Sequence, residues 1–164
     1  MIRNSHAPVS VARGFSDELP HEVMLHYFLY CLDLKTGAIQ WKQEFYTGRP
    51  PEGHHRKNSF TSETPVTDGK LIYIYDENLG IWAYDRNGKL RWNTKQPALP
   101  MFNEFGTGGS AVLHGEILIV LSDNEKQQFL AAYDKQTGKE LWRTNRDSKD
   151  PKAPRRSGWT TPFL

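Results

Sequence analysis

The chain has little that would fix a small protein covalently or draw it to a membrane. One cysteine, Cys31, in 164 residues excludes an intrachain disulfide and a CxxC metal site. It lies in the apolar stretch FLYCLDL, where a free thiol behaves as a small hydrophobe, so a packed strand residue is expected. No apolar run approaches the roughly 18 residues of a membrane-spanning helix. The opening MIRNSHAPVSVARGF has no continuous apolar core and does not read as a secretory signal, so the chain is either cytoplasmic or begins downstream of a lost leader. A net charge of +2 is too near neutrality to favour nucleic acid as a partner. No stretch carries a sustained 3.6-residue apolar period, so helices are not expected.

What the chain does contain is repetition. YCLDLKTGAIQW ends at Trp41, WAYDRNGKLRW at Trp92 and AAYDKQTGKELW at Trp142, a spacing of 51 and 50 residues. A second marker recurs as SETPVTDGKLIYIY from Ser62, GSAVLHGEILIVL from Gly109 and WTTPFL from Trp159. Within each unit, LIYIYD and ILIVLS are short β-branched or aromatic runs bounded by turn signals, the pattern of strands. FLYCLD, IWAYD and FLAAYD follow, then a glycine-containing turn, then AIQW, KLRW and KELW. Each complete unit therefore predicts four strands in an up-and-down meander, and such units repeating about an axis build a β-propeller. The fold class expected is all-β, a partial β-propeller of four-stranded antiparallel blades forming one domain over 1–164. Its units are placed at about 1–45, 60–94 and 107–144, with the start of a next blade at 158–164. The first unit is irregular, and Phe28 begins its first clear strand.

The recurring dozen residues read as architecture. Asp33, Asp85 and Asp134 end a strand and can accept backbone N–H bonds two or three residues on. Gly37, Gly88 and Gly138 supply the positive φ that a tight hairpin needs. Trp41, Trp92 and Trp142 then lie on the outer strand with their rings toward a neighbouring blade, while Ala83 and Ala132 leave room for a ring. A tryptophan so placed buries about 150–250 Å², and its loss should cost roughly 3–5 kcal/mol.

The motif A-x-D-x-x-T-G-x-x-x-W, complete at Ala132, Asp134, Thr137, Gly138 and Trp142, resembles the tryptophan-docking motif of the pyrroloquinoline quinone (PQQ) repeat propellers. The copy at Trp41 has cysteine for alanine, and the copy at Trp92 is one residue shorter. The resemblance implies a propeller of seven or eight blades, of which about three and a half are present here. It also implies an exported, periplasmic setting and either of two roles. One is a cofactor-free scaffold or binding module, with a protein partner or the remaining blades of the same propeller against it. The other is a piece of a PQQ-dependent alcohol or sugar dehydrogenase, and only there would PQQ with calcium be the cofactor. The quinoprotein enzymes often carry an adjacent cysteine pair, which one cysteine cannot supply. No catalytic set is recognisable, and an enzyme is not the favoured reading.

Function is expected on the loops joining blades: TGRPPEGHHRKNS from Thr47, NTKQPALPMFNEFGTGG from Asn93 and TNRDSKDPKAPRRSG from Thr144. Arg49, His54, His55, Arg56 and Lys57 with Arg155 and Arg156 form a candidate basic rim for an anionic ligand or partner. Adjacent histidines rarely reach one ion, and no metal site is expected. The acidic tips Asp76-Glu77-Asn78 and Asp123-Asn124-Glu125 read as hairpin turns that need no calcium. An incomplete ring of blades leaves open edges, through which self-association is expected.

Overall fold

The structure, a computed structural model, describes residues 2–5, 16–17, 23–146 and 156–164, the first two stretches by their backbone alone. Two short strands, β1 (Ile2–Ser5) and β2 (Ser16–Asp17), precede β3 (Leu25–Leu32), β4 (Ile39–Gly48) and the two-residue β5 (His54–His55). Then come β6 (Val66–Thr67), β7 (Leu71–Asp76), β8 (Gly80–Asp85) and β9 (Leu90–Lys95). The series ends with β10 (Val112–His114), β11 (Ile117–Asp123), β12 (Gln128–Asp134) and β13 (Glu140–Asn145). β6 to β9 form one four-stranded sheet in chain order, β10 to β13 a second, and β1-β3-β4 a three-stranded sheet, while β2 pairs with β5. Every pairing is antiparallel. The fold is a partial β-propeller, and the one helical element described is a 3-10 turn at Phe102–Glu104.

The repeat is kept in register. Cys31 stands opposite Trp41, Ala83 opposite Trp92 and Ala132 opposite Trp142, and in each sheet the ladder slips directly after the small residue. Gln40, Arg91 and Leu141 are the extra residues, each leaving its strand with a β-bulge that adds twist beside the tryptophan.

Strand alternation sends successive side chains to opposite faces, and both faces of the middle sheet are apolar. Ile74, Trp82 and Tyr84 pack against Leu25, Tyr27, Leu29 and Phe45 of the first sheet. Tyr73, Tyr75, Ile81 and Ala83 pack against Leu118, Val120, Phe129 and Tyr133 of the third. Each fully buried ring or branched side chain contributes about 1.5–3 kcal/mol, so two cores hold three sheets in series. That requirement explains why LIYIYD, in the middle sheet, is a nearly continuous apolar run.

Two expectations need adjustment. Among the described residues the first, irregular unit shows a sheet of β1, β3 and β4, and β3 starts at Leu25, three residues before Phe28. Residues 158–164 run along the third sheet without a ladder partner among the described residues, so no strand is formed there.

Candidate functional site

The three turns that carry the repeated motif are built alike. Asp33 Oδ1 accepts the backbone N–H of Lys35 (3.1 Å) and of Thr36 (2.8 Å) and the Thr36 hydroxyl (2.8 Å). Asp134 repeats this with Gln136 (3.0 Å) and with both groups of Thr137 (2.8 Å each). The threonine hydroxyl, its N–H and the preceding amide hold both carboxyls below the usual range. In the shorter middle turn Asp85 Oδ1 accepts from Asn87 and Lys89 instead. Gly37, Gly88 and Gly138 adopt φ of 72°, 78° and 72°.

A tryptophan from the preceding sheet stands on two of these turns. Trp41 Nε1 donates to the Arg86 carbonyl at 2.9 Å, and Trp92 Nε1 donates to the Lys135 carbonyl at 3.0 Å. Both rings lie over the turn glycine: a Cβ on Gly88 would come within 3.1 Å of Trp41, and one on Gly138 within 2.4 Å of Trp92. Trp142, on the last sheet, is 41% exposed.

The blade-joining segments meet one another. His55 N–H and the Asn58 side-chain amide both donate to the Phe105 carbonyl (3.1 and 3.0 Å), and the same amide also reaches the Thr107 carbonyl at 3.1 Å. The His54 ring packs edge-on to Phe60 and the His55 ring to Phe105, with centroids 4.1 and 4.9 Å apart. From the third segment, Trp159 Nε1 donates to the Gly106 carbonyl at 2.6 Å, and the Ser157 hydroxyl accepts the Phe102 N–H at 2.8 Å. Glu125 binds that segment through the N–H groups of Arg156 and Ser157 and the Ser157 hydroxyl. Met101 is buried, and Phe102 and Phe105 pack on each other with centroids 5.8 Å apart.

The seven candidate rim residues separate accordingly. Arg49, Arg56 and Lys57 are exposed on the first segment. His54 and His55 are half-buried within the loop packing, and Arg156 is half-buried with its amide on Glu125. Arg155 lies outside the described residues, as do Asp147, Lys149, Asp150 and Lys152. Among the described residues, no three of His, Cys, Asp and Glu are grouped as a metal site.

Beneath these segments lies a feature the sequence reading missed, a set of buried carboxylates. Glu63, Asp76 and Glu77 are all buried. The Thr107 hydroxyl donates to Glu63 at 2.5 Å, and the Ser122 hydroxyl donates to Glu77 at 2.6 Å. Asp76 Oδ1 accepts the N–H groups of Asn78 and Leu79, which is the turn chemistry expected of that tip. Burial pushes the carboxyl of Glu63 up, and burial together with the charge of Glu63 raises Asp76 well above the usual range. Glu77 is pushed up to about 7 by burial, against the Ser122 bond and helped by Glu63. A water-sized cavity of about 10 Å³ adjoins the set, lined among others by Tyr27, Glu52, His54, Phe60, Asp76 and Thr107. Asp76-Glu77 at a strand end signalled a turn, but nothing local signalled burial, because segments about 30 and 45 residues away cover it.

The sequence profile of the family described as outer membrane protein assembly factor BamB matches residues 28–155. The chain belongs to this family. Quinohemoprotein alcohol dehydrogenase ADH-IIG of Pseudomonas putida is also similar, 28% identical over 129 residues that make up 77% of this chain and 18% of the dehydrogenase. The solved structure of that enzyme from strain HK5 superposes on 80% of the chain and 20% of the enzyme, with a TM-score of 0.54 and 18% identity. BamB from Moraxella catarrhalis covers 77% of the chain and 33% of its own length, with a TM-score of 0.47 and 14% identity. The chain thus spans less than a quarter of the dehydrogenase, and that likeness speaks for the shared propeller fold.

Proposed function

We propose that this BamB-family chain is a non-catalytic propeller segment, serving as scaffold or protein- or ligand-binding module in an exported, periplasmic bacterial protein. The observation that carries the reading is the way the blade-joining segments bond to one another. Their histidines, Asn58, Ser157 and Trp159 hold the loops to one another beside a water-sized space, which makes a firm surface. The part of that surface suited to a partner is the basic rim. Arg49, Arg56 and Lys57 stand exposed on the first segment, with the half-buried Arg156 on the third, and they favour an anionic ligand or an acidic protein face. On this reading the tryptophans are clamps between blades.

The test is titration with PQQ and calcium, followed by absorbance and melting temperature. The expected result is no saturable change. A new absorbance band with a raised melting temperature would overturn the reading. For the rim, retention on heparin should weaken in Arg56→Ala and Lys57→Ala, and unchanged retention would remove it.

The second reading, a segment of a PQQ-dependent alcohol or sugar dehydrogenase, is supported by the 28% identity with the Pseudomonas enzyme. The described residues do not fit the cofactor well. Among the described residues, Glu63, Asp76 and Glu77 bond to hydroxyls and backbone amides and are not grouped as ligands of one ion. Dye-linked alcohol oxidation by the protein supplied with PQQ and calcium distinguishes the two, background rates being expected.

A further inference from the structure

Three residues lining the water-sized cavity each carry an oxygen that no described residue satisfies. Tyr27, on β3, is 1% exposed, and its hydroxyl has no hydrogen-bond partner among the described residues. Burial, and after it the charges of Asp76, Tyr46 and Glu63, hold that hydroxyl protonated, so it lies toward the same carboxyls. Asp76, at the end of β7, is 5% exposed; its Oδ1 takes the two turn amides, and its Oδ2 takes none. Asn78 Oδ1 is buried without a partner. Two sheets thus aim polar groups into one space of about 10 Å³. An ionised carboxylate and an amide oxygen can only accept, so the occupant must donate at least twice.

The surroundings are acidic and carry no counter-charge. Glu63 and Glu77 are buried beside Asp76, and Glu52 lines the same cavity. Glu104 lies against Gly53, where an added Cβ would come within 3.0 Å of its carboxyl oxygen. Among the described residues no Lys or Arg lines the cavity or forms an ion pair with any of these five acids. His54, the basic residue of the lining, commits its Nδ1–H to the His55 carbonyl at 2.8 Å. An unpaired charge is costly to bury. One carboxylate with two neutral oxygens is a poor set for a metal ion, in keeping with the grouping above, but it suits a cation that binds through N–H bonds.

We infer that this cavity is a binding site for a primary ammonium group, which donates to Asp76 Oδ2, Asn78 Oδ1 and the Tyr27 hydroxyl oxygen while its charge faces the ionised Asp76. Water has the size but brings no charge. The lining grades from buried Tyr27 and Asp76 to exposed Pro51, so the group is the free ammonium ion or the end of a small amine entering beside Pro51. Burial and the charge of Glu63 keep Asp76 protonated without the cation. Binding therefore releases a proton and tightens as pH rises. The inference concerns the buried space and not the exposed Arg49, Arg56 and Lys57, so it stands or fails separately from the scaffold reading.

The test is thermal unfolding of the 164-residue chain in ammonium chloride against tetramethylammonium chloride, at about pH 6 and about pH 8. A ligand of one or two non-hydrogen atoms binds with a Kd of roughly 10–100 mM at best, so the salts are compared at about 0.5 M. There ammonium should raise the melting temperature by about 3–5 °C at the higher pH, and by less at the lower. Tyr27→Phe, and Asp76→Asn, which keeps an oxygen for the turn amides, should each lose the response. In the wild type the 13C carboxyl resonance of Asp76 should move toward its ionised value in ammonium and stay in tetramethylammonium. Methylamine acting at lower concentration than ammonium identifies the end of a larger amine; methylamine acting at higher concentration identifies the free ion. Equal melting temperatures in the two salts would leave the space to water and overturn the proposal. So would an equal rise in potassium chloride, or a response kept in Tyr27→Phe.

Discussion

Replacing the three turn glycines by alanine, one at a time, tests whether the tryptophans bear on the turns energetically. Gly37 and Gly138 share φ of 72° and the same N–H bond to the turn aspartate carbonyl, 2.8 Å in each. The penalty for alanine in the left-handed region, about 1–2 kcal/mol, is therefore common to both, and so is the lower entropy of the unfolded chain. What differs is space. At Gly37 the added methyl meets nothing within 4 Å, whereas at Gly138 it would sit 2.4, 2.7 and 2.9 Å from Trp92 Cε3, Cζ3 and Cδ2. Carbon atoms rest about 3.5–4.0 Å apart, so the ring must move by more than an ångström. It would then lose its bond to the Lys135 carbonyl, about 1 kcal/mol, and part of the roughly 3–5 kcal/mol that complete loss of a packed tryptophan costs. Gly138→Ala should thus destabilise by about 2 kcal/mol more than Gly37→Ala. Gly88→Ala falls between, since its closest ring atoms are at 3.1 Å and a small shift relieves them. Urea unfolding followed by circular dichroism, in dilute solution and with unchanged slope, reads the series directly. Equal losses at Gly37 and Gly138 would refute the argument.

The buried carboxylates predict a pH dependence of unusual sign. Glu77 titrates near 7 when folded against an ordinary glutamate value of 4.5, so between these values the folded state holds a proton that the unfolded state has released. Stability is therefore full below about pH 4.5 and falls as pH rises toward 7, by up to about 3 kcal/mol. Melting temperature should drop between pH 5 and 8, and Glu77→Gln, which can still accept the Ser122 hydroxyl, should flatten the drop; a rise over that range would contradict the assignment. The lowered carboxyl of Asp68, at about 2 through amide bonds from Leu71 and Lys70 and its contact with Lys135 outweighing burial, acts only at far lower pH. Asn58→Ala removes two bonds to the Phe105 and Thr107 carbonyls and should cost about 1–3 kcal/mol. It should also speed amide exchange at residues 103–107, and unchanged exchange there would show that the segments do not support one another.

How much was legible follows the range of each interaction. The strands around LIYIYD, ILIVLS and FLAAYD were readable because alternation and turn chemistry act within a few residues, and the same holds for Asp134, Thr137 and Gly138. The candidate site was readable only as loops of a certain composition. His54 and His55 looked like cations for a rim, but their rings pack on Phe60 and Phe105, the second of them 50 residues away.

The sequence by itself determined the repeat, the four-stranded units and the turns, since the period of about 50 residues and each aspartate-glycine turn are local facts. Only the tertiary structure decided which groups are hidden. Glu63 meets Thr107, and Glu77 meets Ser122, across separations of 44 and 45 residues. Burial is a property of what folds over a residue, and the covering segments belong to other sheets and to the loops between them.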